Sequence, residues 1–212
     1  PAPNTSAQFA IDSKKQAAWF SSDEAIKLVE TVISFQTPSG GWSKSVNYVS
    51  GPRTKGMHWT SQQGNIWHYC GTLDNRSTTE QIRFLAKYHS ITSNSAAKDS
   101  AFRGLEWILE AQYPNGGWPQ NYPVEPGYHE AITLNDDAML HALELLQDVH
   151  EQSESFKFVS EDLKRRAKEA YDRGLNCLSM AQVQVGGSRT VWCAQHDPLD
   201  LSPVAARKKE PP

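Results

Sequence analysis

Apolar residues recur at helical spacing along most of the chain, and the punctuation between them repeats. Ile26, Val29, Val32, Ile33 and Phe35 mark one face of a helix predicted over residues 23–35, with Ser21 and Glu24 as its capping box. Ser77 and Glu80 form a second box before Ile82, Leu85, Ala86 and Tyr88, predicting a helix that ends near His89. Ala96, Ala97, Ala101, Leu105, Ile108 and Leu109 carry a third helix to Ala111. The run from Ala138 to Val149 is apolar on more than one side, and a last helix spans about 161–181. Few segments alternate with period two, so the pattern reads as all-α.

The punctuation shows three related units. Gln36-Thr-Pro-Ser-Gly-Gly-Trp42 returns as Gln112-Tyr-Pro-Asn-Gly-Gly-Trp118. Arg103-Gly104-Leu105 leading to Gln112 returns as Arg173-Gly174-Leu175 leading to Gln182, followed by Gly186-Gly187 and Trp192. An offset of about 70 to 76 residues between repeats of this size predicts helix hairpins closing into an α/α toroid. Proline and paired glycines stop the helices at each corner, and Trp42 and Trp118 are expected to pack beneath the turns as core.

Composition narrows the partners. With 212 residues, 38% of them hydrophobic, the chain suits a single domain over 1–212. A net charge of -3 leaves no footprint for nucleic acid, and no apolar run has membrane-spanning length. Cys70, Cys177 and Cys193 allow at most one disulfide and are read as buried or idle thiols. The chain opens PAPNTSAQFAID without Met, as a processed or trimmed chain does.

Candidate chemistry sits where loops enter helices. Asp74 in Thr-Leu-Asp-Asn and Asp136 in Thr-Leu-Asn-Asp are carboxylates at matching junctions, each fed by an aromatic-rich loop. Either acid alone reads as a helix cap. Two together suit hard-cation ligation by calcium, or the acid and base of a glycosidase. No HExxH spacing and no EF-hand loop occurs. Trp59, Trp67, Tyr122 and Tyr128 are candidates for stacking on sugar faces.

The segment from Arg103 to Trp118 also resembles the QW-type motif of triterpene cyclases, a likeness that supports an α/α toroid; their DxDD acid motif is absent. The strings QTPSGGWSKSVNY, TLDNRSTTEQIRFLAKYH, RGLEWILEAQYPNGGWPQNYP, ITLNDDAM and TVWCAQHDP together resemble the pectate lyases of polysaccharide lyase family 10. That resemblance implies an (α/α)3 toroid and calcium-dependent cleavage of polygalacturonate by β-elimination, with an arginine as base and secretion from the cell. By motif it implies Asp74 as a catalytic-site acid that helps hold calcium or the uronate, Asp136 as calcium ligand and Asp137 as its substitute. It places the base at Arg207, with Arg189 as the alternative or as a substrate clamp. Lys44 and Asn75, with Lys208 and Lys209, are further candidates for uronate contact. An arginine base, with an ordinary pKa above about 12, predicts an alkaline optimum.

Family domains continue beyond the point where this chain stops. The toroid is therefore expected to be incomplete at its C-terminal side, with apolar faces around Leu140 to Val149 exposed and open to self-association. The competing readings are a polygalacturonate-binding remnant without turnover, and an α/α glycoside hydrolase using Asp74 and Asp136.

Overall fold

The computed structural model describes residues 1–6, 9, 15–61 and 69–205. Five α-helices make the body among these described residues: α1 Asp23–Ser34, α2 Thr79–Thr92, α3 Ser95–Ala111, α4 Ala138–His150 and α5 Glu161–Ala181. Six two-residue strands lie between or after them: β1 Gly71–Thr72, β2 Asn121–Tyr122, β3 Ile132–Thr133, β4 Gln184–Val185, β5 Ser188–Arg189 and β6 Gln195–His196. No helix among the described residues is long and apolar enough to cross a membrane.

The predicted helix positions hold, while two of the predicted caps shift. Ser22 rather than Ser21 caps α1 by accepting from Ala25 N, and Glu24 accepts instead from Trp19 Nε1. At α2 the capping-box geometry is absent: the residue before the helix is Thr78, at φ +68°, and its hydroxyl is committed to the Trp42 backbone. A tertiary bond has displaced the local one.

The most extensive helix packing is between α2 and α3 and between α4 and α5. Each of these pairs joins the end of one sequence unit to the start of the next, so the tight hairpins straddle the repeat boundaries. The reason is linker length. Ser93 and Asn94 alone separate α2 from α3, whereas a corner and a long loop separate α1 from α2.

The corners lock neighbouring units together. Gln36 Nε2 donates to Gly40 O and to Ser100 O, while the Arg103 guanidinium donates to Gln36 Oε1. In the second unit Gln112 Nε2 donates to Gly116 O and Ala170 O, and Arg173 donates to Gln112 Oε1. Gly40 at φ +104° and Gly116 at φ +96° are needed twice over. The left-handed backbone disfavours a side chain, and a Cβ would run into the Arg103 carbonyl or the Arg173 carbonyl respectively. Gly104 and Gly174 admit the rings of Trp42 and Trp118 against their backbones.

Trp42 and Trp118 are fully buried and donate through Nε1 to Val32 O and Ile108 O. Trp192 makes the matching bond to Leu178 O, yet it is 47% exposed. The expected apolar face at Leu140 to Val149 is corrected accordingly: α5 packs over α4, and in that stretch Leu140 is the large apolar side chain left exposed. On α5 and the segment after it, Leu175, Met180, Val185, Val191 and Trp192 are exposed. The three cysteines are free.

Candidate active site

Each loop-to-helix junction is hung from the preceding tryptophan. Thr72 N donates to Trp42 O, and Thr133 N donates to Trp118 O. The next bond steps to the following unit: Leu73 N donates to Gln120 O, while Leu134 N and Asn135 N both donate to Ala194 O. Antiparallel pairing of β1 with β2 and of β3 with β6 completes the arrangement. The 3-10 turns Asp74–Arg76 and Asn135–Asp137 are thereby brought against each other.

This scaffold delivers repeat-equivalent residues to one polar cleft of about 210 Å3, lined among others by Lys44, Asp74, Gln120, Asp136, Ala194 and Gln195. Lys44, Gln120 and Ala194 are each two residues past a corner tryptophan. Asn75, Tyr128, Thr133 and Asn135 complete the wall.

Within the cleft Asp74 is buried and held from several sides. Its backbone N donates to Thr72 Oγ1 at 3.1 Å, its carbonyl accepts from Ser77 N, and Oδ2 forms an ion pair with Lys44 Nζ. Oδ1 is also buried and accepts no hydrogen bond from a described residue. Gln195 donates through Nε2 to Tyr128 O and Thr133 Oγ1 at 2.9 and 2.8 Å, fixing its amide. Its Oε1, like Gln120 Oε1, is buried without a described donor. Three acceptor oxygens of this kind call for donors or a cation.

Asp136 differs. It is exposed, and Oδ2 accepts from Asn135 Nδ2 at 2.8 Å. The sequence match of Asp74 with Asp136 is one residue out of register: Asn75 at φ +53° and Asp136 at φ +52° share the left-handed position, so Asp74 corresponds to Asn135. Both acids still face the cleft, because both turns do.

The other candidates divide. Lys44 and Asn75 line the cleft as expected. Asp137 is exposed at the start of α4, outside the cleft lining, with φ +57°. Arg189 lies on the β4–β5 hairpin, also outside that lining, and donates to Ser179 Oγ at 2.7 Å. Arg207, Lys208, Lys209 and Trp67 fall outside the described residues. Trp59 stacks under the Arg53 guanidinium, 4.2 Å from its centroid. Among the described residues there is no group of three or more His, Cys, Asp or Glu side chains suited to a metal. The amide oxygens and two separate carboxylates are what a hard cation would find here.

Two ionisable groups near the junctions carry shifted pKa values. Burial raises Glu80, against the opposing pull of Arg76 and Arg83. Burial lowers His141, with Arg76 and Arg83 adding to the effect while Glu144 and Asp137 oppose it.

Residues 36–212 match the family of pectic acid lyases. The chain belongs to that family. Two solved structures of a Family 10 polysaccharide lyase from Cellvibrio cellulosa resemble it at 30% sequence identity, each with a TM-score of 0.78. The comparison takes in 94% of this chain, and 57% of the neighbour that is a mutant in complex with trigalacturonic acid. For the other it takes in 94% of this chain and 56% of the neighbour. The chain thus spans a little over half the length of these lyases. No curated protein matches the sequence. Family 10 lyases are (α/α)3 toroids, and the helix pairs and Gly-Trp corners of this chain belong to that architecture.

Proposed function

We propose that this chain carries the uronate-binding cleft of a calcium-dependent polygalacturonate lyase that acts by β-elimination. The observation that carries the reading is the cleft itself, where an acidic residue from each of two junctions, a lysine and buried amide oxygens converge within a pectic acid lyase fold. The complex of the Cellvibrio lyase with trigalacturonic acid supports the same substrate class.

The donor set fits calcium. Asp74 Oδ1 is a buried carboxylate oxygen without a described donor, Asp136 is accessible, and the orphaned Gln120 and Gln195 oxygens are neutral hard donors. These residues would hold the ion together with the substrate's own carboxylate. Calcium, when bound, supplies Lewis-acid stabilisation of the charge that develops on the C6 carboxylate.

This chain's residues orient the sugar. Lys44, about one-third exposed and paired with Asp74, presents an ammonium to the uronate. Gln120 and Gln195 accept from sugar hydroxyls wherever they do not face the ion. Elimination removes the C5 proton, forms the C4–C5 double bond and expels the C4 oxygen. Arg207 is the proposed base, through the family resemblance of its motif. A polymeric, extracellular substrate makes this a secreted activity.

The test is to follow the unsaturated product by ultraviolet absorbance on polygalacturonate, in parallel with new reducing ends. Elimination gives both signals in equal yield. Reducing ends without the absorbance would replace this reading by hydrolysis through Asp74 and Asp136. Calcium-dependent retention on pectate with neither signal would make the chain a binding module.

A further inference from the structure

A second polar cavity lies at the far end of α2. This helix has 14 residues, so its C-terminal residue is about 20 Å from its first, which follows the Asp74 junction. The cavity measures about 630 Å3, three times the volume of the Asp74 cleft and within the range of small-ligand sites. Lys15, Lys87 and Lys157 line it with Glu154, and Ile91 and Phe158 add apolar surface.

Of the nine described lysines three are held in ion pairs and six are not, and three of those six line this one cavity. Lys44, Lys164 and Lys168 each pair with a carboxylate. Among the described residues no carboxylate pairs with Lys15, Lys87 or Lys157. Two are instead steadied over aromatic rings, Lys15 at 5.0 Å from the Trp19 centroid and Lys87 at 5.2 Å from that of Phe20. The C-terminal end of α2 contributes roughly half a negative charge here. With Glu154 this offsets about half of the three positive charges, leaving an excess of about one and a half in a chain whose net charge is -3. Helix complementarity alone accounts for at most one of the lysines.

We infer that this cavity is a second, non-catalytic site for an oligouronate, resting on the polygalacturonate reading above. Lys87 and Lys157 pair with successive carboxylates, the serine hydroxyls Ser90, Ser93 and Ser155 hydrogen-bond the sugar, and Phe158 and Ile91 lie under its C–H face. The interaction needs no calcium, which separates it from the Asp74 cleft.

The experiment is affinity electrophoresis through polygalacturonate in excess chelator, with the unsaturated product assayed separately in calcium. Wild type should be retarded, and the Lys87→Gln, Lys157→Gln double variant should bind about tenfold more weakly. Its elimination rate on a short oligomer should be unchanged. A control with the same charge loss at exposed sites, Lys27→Gln with Lys98→Gln, should bind as wild type does. Equal weakening of the control, no effect in the double variant, or no retardation of wild type in chelator overturns the site. Inorganic phosphate competing as well as galacturonate, at matched ionic strength, overturns its assignment to uronates. Lysine-dependent retardation without any unsaturated product supports this site and rejects the lyase reading.

Discussion

The junctions at 72–76 and 133–137 share a backbone and reverse its chemistry. Both follow a two-residue strand, both turn through a left-handed residue at φ near +52°, and both hang from the carbonyl of a buried tryptophan. One reads Asp74-Asn75 and the other Asn135-Asp136. The acid before the left-handed position is buried and paired with Lys44, whereas the acid on it is exposed and bonded only to its neighbour's amide among the described residues. Repetition therefore supplies geometry, and the exchange of one acid with one amide leaves Asp74 buried against Lys44 and Asp136 accessible, the difference on which the proposed roles of the two acids rest.

The sharpest way to break this distinction is at Asp74. Asp74→Asn should lower the elimination rate by about a hundredfold or more at any calcium concentration, because it removes a preorganised buried charge. Moving the acid to the other position with Asp74→Asn and Asn75→Asp should not restore the rate, since the new carboxylate stands where Lys44 does not hold it. Recovery to within a few-fold of wild type in the double variant would erase the difference between the positions.

Asp136→Asn should act on the ion more than on the rate. The calcium concentration for half-maximal activity should rise about tenfold, with the rate at saturating calcium falling less than threefold. Lys44→Gln comes next. It should raise KM about fivefold through the lost uronate contact, and a purely structural Lys44 would instead lower melting temperature at constant KM.

The smallest effect belongs to His141, beside the second junction. Its pKa is lowered by burial, so the folded state disfavours the charged ring. That contribution to stability is fully present above the unfolded value of about 6.5 and is lost as pH falls through the lower folded value. His141→Gln should flatten the fall in melting temperature below about pH 6.5 by a few degrees. An unchanged slope would mean that other groups dominate acid sensitivity.

The helices and the tryptophan core were legible because they rest on periodicity and on glycine chemistry that act locally. Trp42 and Trp118 could be read as core since nothing but a corner explains Gly-Gly-Trp. Register was harder. Matching acid with acid paired Asp74 with Asp136, when the backbone pairs Asp74 with Asn135. Ser77 looked like a cap because the sequence does not show that Thr78 is engaged by Trp42, 36 residues away. Gln120 and Gln195 were missed for the same reason: their buried oxygens matter only once two units meet. A signal did exist, since counting two residues past each corner tryptophan finds Lys44, Gln120 and Ala194 together. The family resemblance offers Arg189 as the alternative base or a substrate clamp, and the β4–β5 hairpin places it outside the cleft lining.

In the proposed function Asp74 and Asp136 serve one cation-assisted elimination in different ways. The most direct measurement is a calcium titration of unsaturated-product formation on polygalacturonate for wild type, Asp74→Asn and Asp136→Asn side by side. Wild type should give a chelator-sensitive signal, Asp74→Asn a lowered plateau, and Asp136→Asn a curve displaced to higher calcium with a nearly intact plateau. Identical curves for the two variants, or a wild-type signal indifferent to chelator, would contradict the proposed function.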